Sequence, residues 1–400
     1  TVLKVKNTKF ENVTCFYCAT SGDGAFLDYL QYEAGPSDLK IKNSYMIGCN
    51  AQVSRGCFYL VKDLSNNLLS FNMENVTVKD SYSYAGSVLC MGFVSFNESV
   101  ISDVFLENLY THKGGPIEDF HLMGTVKIKN LHQRNITGEY CTIRGGYITG
   151  ITLVVLEDSS FKHCICKKDL FKIESLDEVG TIEIRNITIE DSTYLCSVFS
   201  SYLKTTNSAF SSTLNLREVA NQGNAELSNV NFQHNKGVSI SILSGSSLDA
   251  KNCSFYENDS TVVYSTQNSF FKIFNCNFTK NKNNGSGSAL VLTDSLQKNE
   301  ISNSSFTENF SKNSFTLDLR RAFLSVAYCN FSKNKATKMS PGIGLLESTL
   351  HVFDSKFKNQ SAETGSFLYL TTNSEIIIHN SAFEEGRSSL QGGAMGAYLS

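Results

Sequence analysis

The chain contains no tryptophan and only 3 prolines, and charged residues make up 18% of its 400 positions. Each scarcity excludes something. Proline removes a backbone donor and is confined to sheet edges and bulges, so its near-absence leaves long hydrogen-bonded ladders open. Lys plus Arg number 35 against 38 Asp plus Glu, for a net charge of −3. That balance argues against a nucleic-acid binder, which presents a basic patch or stripe. No apolar run approaches the roughly 18 residues of a membrane span. The richest, Tyr147 to Leu156, is too short, so no membrane contact is expected within this segment. Helix formers are thin as well. There are 37 Asn and 80 Ser plus Thr, residues that favour turns over helix interiors, which makes a helical bundle improbable. Hydrophobic residues reach 41%, enough for a sizeable core and too many for a disordered chain.

What is present is a repeat. Leu248-Asp-Ala-Lys-Asn252-Cys-Ser-Phe255-Tyr-Glu-Asn258 matches Phe271-Lys-Ile-Phe-Asn275-Cys-Asn-Phe278-Thr-Lys-Asn281, and both match Ile301-Ser-Asn303-Ser-Ser-Phe306-Thr-Glu-Asn309. The pattern is apolar-x-apolar-x-Asn, then Phe three residues on and a second Asn three beyond that. Extended, it places anchors at Asn7, Asn43, Asn75, Asp103, Asn130, Asp158, Asn186, Asn229, Asn252, Asn275, Asn303, Tyr328, Asp354 and Asn380. Three residues after each anchor the side chain is apolar in all but one case, Gln133, and the apolar set includes Phe232, Phe255, Phe278, Phe306, Phe331, Phe357 and Phe383.

Each period holds three short strand signals and no helical pattern, as in Phe367-Leu-Tyr-Leu370, Ile376 to Ile378 and the segment around Phe383. That is too short for a propeller blade and fits one coil of a parallel β-helix. The expected fold is all-β: a right-handed, single-stranded parallel β-helix of about 14 coils of 23–36 residues, running as one body over residues 1–400. A sharp bend needs a left-handed residue, which Asn tolerates. The expected Asn ladder is therefore Asn75, Asn130, Asn186, Asn229, Asn252, Asn275, Asn303 and Asn380, stacked about 4.8 Å apart. The Phe side chains form an inner stack. The interval from Asn186 to Asn229 is 43 residues, and the excess over 194–223 is read as an inserted loop. Insertions in solenoids map to one face, often a binding face. A strand begins at Leu3 to Val5 and another opens at Tyr398 to Ser400 with no polar cap, so the chain is read as a window of a longer protein.

Phe255-Tyr-Glu-Asn258 and Phe278-Thr-Lys-Asn281, with Gly392-Gly-Ala-Met395, resemble the repeats of polymorphic outer-membrane autotransporter proteins. The chain as a whole is similar to pectin-lyase-like β-helices of secreted protist surface proteins. The resemblance implies the fold. It leaves the activity open, because such solenoids include lyases, hydrolases, adhesins and inert fibres.

The cysteines number 12. Cys15, Cys18, Cys49 and Cys57 would staple long loops, and Cys164 and Cys166 are further disulfide candidates. Cys253 and Cys276 fall on adjacent coils at a Cα separation of about 4.8 Å, inside the disulfide range. Burial as small residues in a ladder slot remains the alternative. Zinc needs four ligands, and Cys15-Phe-Tyr-Cys18 has no suitable second pair, so no metal or other cofactor is expected. Among the Asn-x-Ser/Thr sequons, Asn12, Asn97, Asn135, Asn277, Asn284, Asn330 and Asn359 are the candidates for N-linked glycans.

Polysaccharide-cleaving β-helices use clustered carboxylates. No Asp-Asp pair, Gly-His-Gly or Arg-Ile-Lys motif is present, and the seven His are scattered. No catalytic residue is assigned. The expected function is that of a secreted or cell-surface glycoprotein with a structural or adhesive role in a coat, stalk or filament. Its partners would be itself or other surface proteins and glycans. The alternatives are a polysaccharide lyase or hydrolase, or a receptor ectodomain that binds through inserted loops.

Overall fold

The computed structural model describes residues 7–397 except 21–26, 32–36, 56, 63–67, 86–87, 93–94, 114, 120–123, 140–142, 149–151, 168–170, 176–179, 193–195, 200–201, 213–216, 221–222, 286, 314 and 372. The end strands expected at 3–5 and 398–400 lie outside the described residues. Among those residues the regular structure is all strand, with no helix. The chain divides into two compact units, Thr1–Lys204 and Thr205–Ser400.

Within each unit, strands pair in parallel with their counterparts one coil on. In the second unit Ile240 faces Val263, Leu248 faces Phe271 and Phe255 faces Phe278. In the first, Leu39 faces Phe71 and Ile101 faces Ile128. Alternation decides which side is buried. Ser247–Lys251 turns Leu248 and Ala250 inward and Ser247, Asp249 and Lys251 outward. This is the expected all-β parallel solenoid.

The bend before the third strand of each coil is a single residue in the left-handed region. In the first unit it is Asn12, Asn43, Asn75, Asp103, Asn130, Asp158 and Asn186. In the second it is Asn207, Asn229, Asn252, Asn275, Asn303, Tyr328, Asp354 and Asn380. All have φ between 46° and 57°. Left-handed backbone costs an ordinary residue about 1–2 kcal/mol, less for Asn and Asp, which explains their dominance.

Two expectations are corrected. The first corner is Asn12 rather than Asn7: the Asn12 N–H donates to the Lys42 carbonyl, and Cys15 faces Met46. And 194–223 is not an inserted loop. It contains the strands Cys196–Phe199, Tyr202–Ser211 and Arg217–Ala220. Asn207 is a corner, and Phe210 is fully buried and stacked on Phe232 at 5.1 Å. The long interval is two short coils, split 21 and 22 residues at Asn207. A binding role for an inserted loop there falls with it.

A second left-handed corner follows five residues after each first one. Its occupants include Asp80, Asn108, Asn135, His163 and Asp191, and in the second unit His234, Glu257, Lys280, Glu308, Lys333, Asn359 and Glu385. Sequence reasoning did not anticipate this column.

Candidate functional site

The most ordered constellation is a buried amide column in the second unit. Asn235, Asn258, Asn281, Asn309 and Asn334 sit six residues after their corners and are 0–1% exposed. Asn258 Nδ2 donates to Asn281 Oδ1 at 2.8 Å and to the Phe232 carbonyl at 3.2 Å. Asn281 Nδ2 donates to Asn309 Oδ1 at 3.0 Å and to the Phe255 carbonyl at 3.0 Å. Each Oδ1 also accepts a backbone N–H from the preceding coil, as Asn281 Oδ1 does from Asn258 at 3.1 Å. The Asn281 carboxamide therefore ties three successive coils with four hydrogen bonds, which satisfies both of its polar atoms where they are buried. Gln360 continues the column, donating to the Phe331 carbonyl at 3.3 Å.

Beside this column runs the Phe stack. From Phe210 through Phe232, Phe255, Phe278, Phe306, Phe331 and Phe357 to Phe383, ring centroids lie 4.5–5.1 Å apart. Strand spacing sets that distance. In the first unit the same position holds Met46, Val78, Leu106, Gln133, Phe161 and Ile189, all buried without a continuous aromatic stack.

The outer Asn ladder also forms. Asn75 donates to Asn43 (2.9 Å), Asn130 to Asp103 (2.7 Å), Asn186 to Asp158 (2.8 Å), Asn229 to Asn207 (3.0 Å) and Asn275 to Asn252 (2.7 Å). Asn380 donates to Asp354. Asn303 keeps the corner geometry, but Tyr328 on the next coil cannot continue the amide ladder.

The cysteines resolve by position. Cys15 and Cys18 are joined by a disulfide, and Cys166 is disulfide-bonded. Cys49, Cys57, Cys164, Cys253, Cys276 and Cys329 are buried thiols, so neither Cys253–Cys276 nor Cys49–Cys57 is a disulfide. The physical reason lies in the slot. All of these thiols except Cys57 stand directly after a left-handed corner. On other coils the place after the first corner holds serine (Ser44, Ser159, Ser208, Ser304, Ser355, Ser381) or an aliphatic residue (Val76, Val104, Leu131, Ile187, Val230). Ser304 Oγ donates to the Ser302 carbonyl (2.8 Å) and accepts the Cys276 N–H (3.1 Å). Cys276 Sγ repeats both bonds, donating to the Phe274 carbonyl (3.3 Å) and accepting the Cys253 N–H (3.4 Å). The thiol acts as a larger hydroxyl. The bond to Cys253, together with burial, pushes the Cys276 thiol far up. Burial raises Cys329 to about 11 and Cys164 to about 12. None of these three is a nucleophile at neutral pH.

The glycan candidates separate. Asn277, Asn284, Asn330 and Asn359 are exposed, and Asn277 Oδ1 accepts the Ser305 hydroxyl at 2.7 Å, which leaves its amide nitrogen outward. Asn135 is exposed, but its amide donates to Asn108 Oδ1 at 3.0 Å. Asn12 is exposed at a corner. Asn97 lies on the strand Ser95–Thr111, with its side chain outside the description. The sequons at Asn258 and Asn309 belong to the buried column.

Two surface depressions in the second unit are lined by described residues. One lies on the outer face of the first strands. Its wall is Phe315 and Tyr369, with ring centroids 5.9 Å apart, and Leu345, Leu346 and Met339 complete it. Gly344 makes room, because a Cβ there would fall 2.2 Å from the Phe315 ring. The carboxylate in this cleft is Asp318, and Arg320 occupies both of its oxygens, Nε to Oδ1 at 3.2 Å and Nη2 to Oδ2 at 2.8 Å. A glycosidase needs a pair of carboxylates about 5–10 Å apart, and Asp318 has no carboxylate companion among the residues lining the cleft. The second depression is a groove beside the second corners, lined by Glu257, Lys280, Lys282, Glu308, Lys333, Lys335 and Arg387 among others. Among the described residues no group of three or more His, Cys, Asp or Glu is placed to hold a metal ion.

Comparison with known proteins agrees with the geometry. The family model described as a right-handed beta helix region matches residues 172–322 and 218–383, together more than half of the chain. No curated protein and no solved structure matches.

Proposed function

We propose that this chain, which belongs to the right-handed β-helix family, is an extracellular structural or adhesive glycoprotein, a stiff element of a cell-surface coat, stalk or filament. The observation behind this reading is where the repeating residues spend their chemistry. The buried carboxamides of Asn258, Asn281 and Asn309 bind one another and the backbone, leaving nothing for a ligand. The corner carboxylates Asp103 and Asp158 accept ladder bonds. The Cys276 thiol makes the same hydrogen bonds that the Ser304 hydroxyl makes on the next coil. The Cys15–Cys18 disulfide and the exposed sequons support an oxidising, secretory setting.

The polysaccharide-cleaving alternative is disfavoured by Asp318, which Arg320 holds as an ion pair. The deciding experiment is deletion of the gene in the source cell, followed by thin-section electron microscopy of the surface. Loss or thinning of a coat, stalk or filament supports the scaffold. An unchanged surface with loss of polysaccharide-cleaving activity in the medium contradicts it.

A further inference from the structure

We propose that the groove beside the second corners binds a linear acidic glycan carrying one anionic group per disaccharide. The groove follows a short five-stranded ladder in which Lys282 pairs with Phe310, Phe310 with Lys335, Lys335 with Ser361, and Ser361 with Arg387. Parallel register thus places a cation on alternate coils: Lys282, Lys335 and Arg387. All three are exposed. At one strand spacing per coil, successive cations stand about 10 Å apart, the length of one disaccharide in an extended glycan.

The groove is also net positive. Glu257 and Glu308 line it, but each is already paired. Glu257 lies 3.5 Å from Lys280 and 3.5 Å from His234, and Glu308 lies 3.7 Å from Lys333. Tyr256 and Lys280 hold the Glu257 carboxyl below the usual range, so it stays ionised within its pair. Lys282, Lys335 and Arg387 have no ion-pair partner among the described residues. Between Lys282 and Lys335 stands Phe310, half-buried, an apolar surface against which a sugar ring can pack.

The two-coil repeat also selects against other polyanions. Polygalacturonate carries a carboxylate on every sugar, and single-stranded DNA a phosphate on every nucleotide. Along this column about half of those charges would meet Phe310 or Ser361 instead of a cation. The proposal gives the adhesive reading a partner. It rests on that reading only for the extracellular setting, so its failure would leave the gene-deletion result untouched.

The test is calorimetric or interferometric titration of the purified chain with hyaluronan oligosaccharides of about ten sugars, which carry one carboxylate per disaccharide. Length-matched polygalacturonate and single-stranded DNA are the contrasting probes. Hyaluronan should bind, and bind more tightly than either, with affinity falling as salt rises. An exposed ion pair is worth up to a few-fold in affinity, so K282A/K335A/R387A should weaken hyaluronan binding by about tenfold or more. K251A/K272A/K298A, the same charge change outside the groove, should alter it by less than about twofold. Lys335→Glu, a single exposed substitution, should weaken it several-fold with the unfolding midpoint unchanged. Absence of hyaluronan binding, equal or tighter binding of polygalacturonate or DNA, or equal effects of the two triple variants would overturn the proposal.

Discussion

Replacing Asn281 with alanine tests the buried amide column at its centre. The carboxamide makes four hydrogen bonds: two accepted from Asn258 and two donated, to Asn309 and the Phe255 carbonyl. Removal leaves the Asn258 backbone N–H and one Nδ2 hydrogen without their acceptor, in a column that is 0–1% exposed. Asn309 Oδ1 keeps its backbone donor from residue 281. Each buried donor left unpaired costs about 1–3 kcal/mol, which puts Asn281→Ala near 4 kcal/mol. Cooperativity within the column pushes the value up rather than down. The assay is equilibrium urea unfolding, with the midpoint read at unchanged slope. The exposed Asn284→Ala is the comparison, expected within about 0.5 kcal/mol of the parent. A loss below about 1 kcal/mol for Asn281→Ala would refute the argument that the column ties coils together.

Phe278→Ala removes a fully buried ring stacked at 4.7 and 4.8 Å on its neighbours; the same titration should show a loss of about 3–5 kcal/mol. Cys276→Ser and Cys329→Ser should each cost less than about 1.5 kcal/mol, because serine already fills that slot on neighbouring coils. Burial raises the Cys329 thiol to about 11, so its contribution to stability is complete below the ordinary thiol value near 9 and is lost as pH climbs through 11. The alkaline loss of stability between those values should accordingly be smaller in Cys329→Ser than in the parent, measured by thermal unfolding across pH. Intact-glycopeptide mass spectrometry of folded, secreted protein should find sugar at Asn277 and Asn330 and none at Asn258 or Asn309, since no glycan fits the buried column; the reverse pattern would contradict the sorting.

Much of the fold was legible because one residue type served one geometric need. Asn and Asp mark the first corner, where left-handed backbone favours them, and Phe marks the inward place three residues on. The same signature, Asn207-Ser-Ala-Phe210, stood inside the segment read as a loop. A coil of 21 residues, from Asn186 to Asn207, falls below the 23–36-residue period and so does not stand out as a repeat. The second corners were not legible. Glu257, Lys280, Glu308 and Lys333 are poor left-handed residues, and ladder bonds and ion pairs from adjacent coils hold them there, which no local preference reveals. The thiol slot was ambiguous for a related reason. Adjacent-coil spacing fits a disulfide and a serine-like hydrogen bond equally well, and only the direction of each Sγ decides. The groove was invisible to motif reading, since its cations lie 53 and 52 residues apart and meet only through register.

Labelling of intact cells addresses the scaffold reading most directly. A membrane-impermeant reagent or an antibody to this chain, applied to the source organism without permeabilisation, should mark it at the outer surface, with protease shaving removing the signal. A chain that is labelled only after permeabilisation, with its exposed sequons bare, would contradict the account.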